Sequence, residues 1–193
     1  EGLENNNKRH INSTSDSEIL LNIFADCLSR KCKNLSEITH EKIFNAVEDL
    51  HSKTEGAYAV VLLIIGYGIV AFRDPNGIRP LIYGKKNNNY IVASESVALD
   101  CLGYDIEGDV APGQSVIFTN SGEKHISTYS SGALKPCIFE YVYLSRPDST
   151  IDSVNVYQSR LEMGKFLAKK IERVLTKKEL EDIDVVIPIP DTS

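Results

Sequence analysis

A series of short apolar segments separated by turn residues constrains the fold of this chain more than any other feature. Residues 57–65, 69–72, 81–84 and 90–93 are rich in β-branched and aromatic side chains, and glycine, proline or asparagine separates each segment from the next. This pattern is typical of consecutive antiparallel strands. We therefore predict four strands here, joined by short turns.

The turn over residues 73–80 reads Arg-Asp-Pro-Asn-Gly-Ile-Arg-Pro. Its first proline fixes one φ angle and the Asn-Gly pair after it tolerates positive φ, so the chain must reverse direction here. Arg73, Asp74 and Arg79 then lie at the rim of a buried sheet. These charges either order the turn or bind a ligand, and we favour the first interpretation.

Composition narrows the function classes. The 193 residues carry 42% hydrophobic side chains and a net charge of −6, and the charges of both signs are interspersed, so nothing indicates a nucleic-acid partner. The longest apolar run, residues 57–65, is far shorter than the roughly 20 residues of a membrane helix, and the first residues do not resemble a signal peptide. Four scattered cysteines without metal-binding spacing predict a reducing, cytoplasmic location, with Cys27 in the core.

The rest of the chain predicts a mixed α/β protein. Helical periodicity predicts helices over residues 16–31, 39–52, 97–101 and 156–176. Further strands are predicted over residues 115–119, 124–129, 139–144 and 184–190. The composition changes near residue 135, where a helix followed by a buried strand begins to resemble a parallel α/β domain. We therefore predict two domains, residues 1–135 and 136–193.

Two places carry side chains that could bind a ligand. Asp16 lies in the first turn of a predicted helix, where Ser15 and Glu18 have the spacing of a capping box. Its carboxylate could cap backbone N–H groups or bind a cationic amine. Asp191–Ser193 follows a predicted buried strand, where α/β proteins bind ligands, although it could equally cap a following helix. The histidines are isolated in polar surroundings and are predicted to be exposed: His10, His40, His51 and His125.

Nine short sequence runs, in the order in which they occur along the chain, say more about function than these local signals. The runs are residues 9–12, 15–22, 56–58, 72–81, 93–100, 109–113, 139–143, 146–149 and 185–193. Together they resemble the amidophosphoribosyltransferase family, glutamine-dependent enzymes that commit phosphoribosyl pyrophosphate (PRPP) to purine synthesis. The resemblance implies an N-terminal-nucleophile glutaminase domain of αββα sandwich type over residues 1–135. It also implies the beginning of a type I phosphoribosyltransferase α/β domain over residues 136–193.

For the complete protein, the resemblance implies a glycosyltransferase that converts glutamine, PRPP and water to 5-phosphoribosylamine, glutamate and pyrophosphate, with ammonia passed between two sites. It further implies one Mg²⁺ per subunit at the PRPP site, purine nucleotides as feedback inhibitors and a homo-oligomer. Asp16 matches the aspartate that holds the α-amino group of glutamine, and Ser193 matches a serine of the Mg²⁺ site. Cys137 falls near one ligand of the iron–sulfur cluster found in some members, but a cluster is not expected here.

The sequence also departs from the family pattern. Residue 1 is Glu, whereas the family's nucleophile is an N-terminal cysteine, and the PRPP loop would follow Ser193. We therefore expect an internal fragment that contains no catalytic residue and is inactive alone. Two alternatives stay open: a truncated, non-catalytic paralogue acting as a binding or regulatory subunit, or another glutaminase-domain amidotransferase. Residues 146–149 and 187–193 fit a phosphoribosyltransferase and count against the second alternative.

Overall fold

The computed structural model describes residues 11–129 and 132–187. The four strands predicted around the turn are present as β1 (Ala59–Ile64), β2 (Gly68–Arg73), β3 (Ile82–Lys86) and β4 (Asn89–Ala93). Two of the predicted helices precede them, α1 (Asp16–Ser29) and α2 (His40–Lys53), with a short 3₁₀ helix (Leu35–Glu37) between the two. The strands are followed by α3 (Ser96–Leu102), β5 (Asp105–Asp109), β6 (Gln114–Thr119) and β7 (Lys124–Thr128). Of these elements, β5 and the 3₁₀ helix were not predicted.

The strands form two antiparallel sheets. The first sheet has the order β1-β2-β6-β7 and the second has the order β4-β3-β5. Because β2 and β3 belong to different sheets, the turn at residues 73–80 carries the chain from one sheet to the other. The predicted turn is therefore a link between two layers.

Alternate residues of β2 and β6 face two different cores, because successive side chains of a strand point to opposite faces. Those in the core shared with α1 and α2 are Val70, Phe72 and Ile117. Those in the core shared with the second sheet are Ala71, Val116 and Phe118. Cys27 is fully buried in the first core, as predicted.

The second sheet is covered on its other face by α3. Leu99 of this helix is fully buried, and a Cβ atom at Gly84 of β3 would lie 2.7 Å from the Leu99 side chain. Helix α3 ends at Gly103, whose φ of 66° is the left-handed conformation common at helix ends. The layers are therefore helices, sheet, sheet and helix, which is the predicted αββα arrangement.

The chain after residue 137 begins with a π-helical turn (Glu140–Leu144), so the strand predicted over residues 139–144 is wrong. The Ser145 N–H donates to the Glu140 carbonyl at 3.0 Å, and Arg160 donates to the carbonyls of Tyr141 and Ser145, each at 2.7 Å. Tyr141 packs against two residues that follow it, Ile151 and Val156. These tertiary contacts override the strand propensity of the aromatic segment.

A small hairpin and two helices follow. The hairpin consists of β8 (Thr150–Ile151) and β9 (Val154–Asn155), and the helices are α4 (Val156–Val174) and α5 (Lys177–Glu181). The long helix was predicted, whereas the hairpin and α5 were not. No helix in the described ranges is both long and apolar enough to cross a membrane.

The buried strand predicted over residues 184–190 is wrong for the residues that the structure describes. Residues 184–187 belong to no strand, and Val185, Val186 and Ile187 are 70–85% exposed. A buried strand needs neighbouring strands and covering helices, and none of the described residues supplies them. Residues 188–190 lie outside the described ranges.

Candidate functional site

The Asp74 carboxylate organises the turn from within. Asp74 is fully buried; its Oδ1 accepts the Asn76 N–H at 2.9 Å and its Oδ2 accepts the Ile78 N–H at 2.9 Å. Longer bonds of 3.4 Å come from the Tyr58 and Arg79 amides. The Asp74 carbonyl in turn accepts the Gly77 N–H at 2.9 Å. The structure agrees with the prediction that this charge orders the turn.

Arg73 is buried beneath the same turn, although the sequence placed it at a rim. Its guanidinium uses all five N–H donors. Three bonds go to the carbonyls of Arg79, Gly77 and Val110, at 2.6, 2.7 and 3.0 Å. The other two go to the carboxylate of Asp152. Arg73 is therefore a structural cation and is not available to a ligand.

Arg79 points the other way and pairs with the π-helical turn. Its Nη1 lies 2.8 Å from Oε1 of Glu140, a carboxylate that is 5% exposed. In the described structure this oxygen accepts no hydrogen bond, so the contact with Arg79 is an ion pair alone. The other oxygen, Oε2, accepts the Ser145 hydroxyl at 3.1 Å.

A cleft of about 600 Å³ opens beside this ion pair. It lies between the beginning of α1, β1, the turn and the π-helical turn, so residues from both halves of the chain line it. The polar side chains of its lining belong to Ser17, Tyr58, Arg79, Ser94, Glu95 and Glu140. The cleft combines one cation and two carboxylates with hydroxyl groups, and the cation, Arg79, is ion-paired with one of these carboxylates, Glu140.

Asp16 lies in an adjoining depression of about 390 Å³. This depression shares Leu20, Ala57 and Tyr58 with the cleft, so the two adjoin where α1 meets the segment before β1. Asp16 is exposed, and its carboxylate makes no hydrogen bond or ion pair with any residue in the described ranges. The helix-capping alternative for this residue therefore has no bond to support it in the described part of the chain.

The predicted capping box at Ser15 and Glu18 is wrong. Ser15 is the N-cap residue of α1 but makes no side-chain capping bond. The Glu18 carboxylate instead accepts the N–H groups of Asn12 and Ser13, both at 2.7 Å, and the hydroxyl group of Ser13. The bond from the Ser13 hydroxyl, followed by those from the two amides, lowers the pKa of Glu18. Glu18 therefore holds the preceding segment, Asn12 and Ser13, against the helix.

Beneath the depression, His51 and Tyr58 form a buried polar pair. His51 Nδ1 lies 2.7 Å from the Tyr58 hydroxyl, which also accepts a bond of 3.1 Å from the Thr54 hydroxyl. His51 is 5% exposed, so its predicted exposure is wrong. Burial lowers the pKa of His51 to about 4, although the nearby Asp74 carboxylate acts in the opposite direction. The imidazole is therefore neutral at physiological pH and fixes the tyrosine that both depressions share.

The remaining histidines differ from the prediction in part. His40 and His125 are half-buried and their rings stack at a centroid distance of 4.2 Å. His10 lies outside the described residues.

The other predicted site residue, Ser193, lies outside the described residues, as does Asp191. Within the described ranges, no three side chains of the His, Cys, Asp and Glu types lie close enough together to bind one metal ion. The Mg²⁺ site implied at Ser193 lies outside the described ranges, and we derive no step through Mg²⁺ or through a cluster at Cys137.

The burial of Cys27 keeps this thiol away from any amide substrate. All four cysteines are free thiols. Cys27 Sγ accepts a bond of 3.2 Å from the Lys53 ammonium, but Cys27 is fully buried, so an amide substrate cannot reach it.

Sequence reasoning missed the residues that the second half of the chain brings to the turn and the cleft. Glu140 lies 61 positions after its partner Arg79, and Asp152 lies 79 positions after Arg73. Glu95 accepts the Arg146 N–H at 2.7 Å and the Ser149 hydroxyl at 2.8 Å. No local pattern marks such pairs, but an unpaired acid in a predicted aromatic strand, as at Glu140, was a signal that could have been used.

Comparison with known families identifies the class of protein to which these αββα layers belong. The glutamine amidotransferase domain family matches residues 2–101. The chain therefore belongs to this family.

More specific relatives extend past residue 101. The amidophosphoribosyltransferases of Pseudomonas aeruginosa and Escherichia coli are 50% and 51% identical to this chain over 190 and 192 residues, and that of Saccharomyces cerevisiae is 42% identical over 194 residues. Each alignment covers 96% of this chain, which spans about 37% of the length of these relatives.

Two solved structures share the fold. The glutamine PRPP amidotransferase of B. subtilis, complexed with ADP and GMP, has a TM-score of 0.69 at 32% sequence identity. The alignment covers 85% of this chain and 33% of the B. subtilis chain. A structure described as the allosteric regulatory enzyme of purine biosynthesis has a TM-score of 0.70 at 31% identity, with coverages of 86% and 33%.

Proposed function

We propose that the complete protein containing this chain is an amidophosphoribosyltransferase, which uses glutamine and PRPP to make 5-phosphoribosylamine in the first committed step of purine synthesis. The observation that carries this proposal is the sequence identity of about 50%, over 96% of the chain, to bacterial amidophosphoribosyltransferases. Because the likeness includes the residues after position 101, it favours this enzyme over other members of the glutamine amidotransferase domain family. Ammonia released from glutamine would pass to the PRPP site within the same protein.

The proposal gives Asp16 the role of binding the α-ammonium group of glutamine. Its carboxylate is exposed in a depression and has no partner among the described residues. An ionised carboxylate at such a position can form a charge-assisted hydrogen bond with a ligand ammonium. The neutral pair of His51 and Tyr58 supports the wall of this depression without adding a competing positive charge.

The remaining parts of the proposal concern the complete protein. Mg²⁺ would bind at the PRPP site with Ser193 as one ligand, because hydroxyl oxygen is a hard ligand suited to this ion. Purine nucleotides would act as feedback inhibitors on a homo-oligomer, a proposal supported by the B. subtilis enzyme having been solved with ADP and GMP. Four free thiols fit a cytoplasmic location.

The experiment that tests the proposal uses the Asp16→Ala variant of the complete protein. Loss of one charge-assisted contact with the substrate is expected to lower kcat/KM for glutamine by roughly ten- to a hundredfold. Turnover with added ammonia should be nearly unchanged, because ammonia needs no ammonium-binding carboxylate. Glu41→Ala is the matched control, since Glu41 is likewise an exposed carboxylate in the first turn of a helix, α2, and lines neither the cleft nor the depression. It should leave both activities unchanged.

Two outcomes would contradict the proposal at different levels. Absence of any PRPP-dependent product with either nitrogen source would reject the enzyme assignment and favour a non-catalytic paralogue. Equal losses with glutamine and ammonia, accompanied by a lower melting temperature, would show that Asp16 is structural.

A further inference from the structure

A buried ion pair joins two parts of the chain that are far apart in sequence. Arg73 ends β2, whereas Asp152 lies in the turn of the β8–β9 hairpin. Arg73 Nη1 donates to Asp152 Oδ1 at 2.7 Å and Nη2 donates to Oδ2 at 2.8 Å. The two side chains are only 1% and 8% exposed. This is the paired two-bond geometry in which an arginine and a carboxylate interact most specifically.

The same guanidinium holds the backbone of the turn that lines the cleft. The carbonyls of Gly77 and Arg79 accept its Nη2 and Nε donors. These two carbonyls lie on either side of Ile78, so the orientation of Arg73 defines how this part of the turn is folded. Arg79 and Pro80, at the end of the turn, line the cleft.

We propose that Asp152 is a positioning residue for the cleft: by pairing with Arg73, it holds the turn in the conformation that places Arg79 and Pro80 in the cleft wall. In the described structure the Asp152 carboxylate bonds to Arg73 and to no residue that lines the cleft, so it acts through Arg73. The expected effect of Asp152 on the KM for glutamine rests on the proposed function, whereas its effect on the conformation of the turn does not.

The charge of Asp152 is required because a buried cation needs a counter-charge. Without it, a guanidinium that is 1% exposed would keep three carbonyl partners but no hydrogen-bonded anion, and a buried cation that loses its bonded counter-charge is strongly destabilised. The guanidinium would have to shift, and the bonds to Gly77 and Arg79 would break. Asp109 lies near enough to interact electrostatically with Arg73, but it makes no hydrogen bond with Arg73 in the described structure, and its Oδ1 instead accepts the Asp152 N–H at 3.3 Å.

The backbone of the hairpin indicates that the position of Asp152 is enforced. Asp152 and Ser153 have φ angles of 48° and 66°, so both central residues of the two-residue turn are left-handed. Such turns favour Asn-Gly or Asp-Gly, because a side chain with a Cβ atom is strained there. A non-glycine residue keeps this conformation when surrounding contacts hold it, and for Asp152 those contacts are the two bonds to Arg73.

Hydrogen exchange of the chain tests the proposal directly. In Asp152→Asn, the amides of Asn76, Gly77 and Ile78 are expected to exchange at least about tenfold faster, because the bonds that define the turn open locally. Amides of α2 should keep their rates and serve as the internal reference. Asp148→Asn is the matched control, because Asp148 forms an exposed ion pair with Arg146 in the preceding loop; it should leave the turn amides unchanged.

Asp152→Glu keeps the charge but displaces the carboxylate by one methylene, so a smaller acceleration confined to the turn is expected. This variant also serves if Asp152→Asn does not fold. Unchanged turn amides in the variants that fold would overturn the proposal. Equal acceleration in α2 and in the turn would overturn it as well, because the pair would then stabilise the whole fold without positioning the turn.

The activity measurement uses the same variants in the complete protein. Asp152→Asn is expected to raise the KM for glutamine by about tenfold, more than the KM for PRPP, and Asp152→Glu should restore part of the loss. A wild-type protein without glutamine-dependent activity would reject the proposed function while leaving the exchange result intact. An active wild type whose Asp152→Asn variant keeps both its glutamine KM and its turn exchange would reject the positioning role alone.

Discussion

Replacing Asp74 with alanine should lower the stability of the fold far more than it changes substrate affinity. The carboxylate accepts two backbone N–H groups at 2.9 Å and two more at 3.4 Å from within the turn and the neighbouring strand. Alanine cannot accept any of these bonds, and the side chain it replaces is fully buried. The donors would therefore be left without a partner at the point where the two sheets are linked.

The magnitude follows from the two short bonds. A buried donor that loses its partner costs about 1–3 kcal/mol, and about 1.5–3 kcal/mol when the lost acceptor is charged. Asn76 and Ile78 are both only half-buried, so water can replace their partner in part. We expect a loss of about 3 kcal/mol in the free energy of unfolding, a large share of the roughly 5–15 kcal/mol typical of a whole domain.

Urea denaturation of the chain measures this loss. The midpoint should fall while the slope stays constant, because the surface exposed on unfolding does not change. Asp74→Asn keeps one acceptor oxygen and should lose about half as much. Asp148→Ala, which removes an exposed carboxylate that is ion-paired with Arg146, is the control and should leave the midpoint unchanged. An Asp74→Ala midpoint equal to that of the control would refute the assignment of Asp74 as the organiser of the turn.

Two further predictions concern pH and thiol chemistry. Because burial lowers the pKa of His51 to about 4 in the folded state, whereas an unfolded histidine titrates near 6.5, the unfolded chain binds the extra proton between these values. The contribution of His51 to the free energy of unfolding should therefore be constant above about pH 6.5. It should fall as the pH drops toward 4, with a slope of at most about 1.4 kcal/mol per pH unit. His51→Gln should flatten that part of the profile, and an unchanged slope would show that His51 does not cause it. A thiol reagent should modify the exposed Cys101 quickly and the buried Cys27 only on unfolding; mass spectrometry of the digested protein that found Cys27 modified at the same rate would contradict its burial.

The strands around the turn could be predicted because their signals are local. Val, Ile and Phe in short runs favour strands, and the residues that reverse the chain between them lie next to them in sequence. The role of Asp74 was predictable for the same reason, since the amides it accepts at 2.9 Å are within four positions. The αββα arrangement itself was expected only from the resemblance to a family.

The predictions that were wrong concern residues whose conformation or burial is decided by contacts distant in sequence. The segment at residues 139–144 has strand propensity, yet bonds from Arg160 and packing around Tyr141 stabilise a π-helical turn. His51 has polar neighbours in sequence, but its burial depends on Tyr58, which follows the end of the helix. The pairing of Arg73 with Asp152 spans 79 positions, and no pattern of spacing could have predicted it.

The strand β2 separates two cores, and this makes its length as important as its composition. Val70 and Phe72 face the helices, while Ala71 between them faces the second sheet. Removing one residue from this strand would turn every side chain beyond the deletion to the opposite face of the sheet. Each core would then receive the side chains that now pack in the other core. Insertions and deletions are therefore tolerable at the hairpin tip between β3 and β4 but not within β2, and divergence in chain length has to accumulate at such tips.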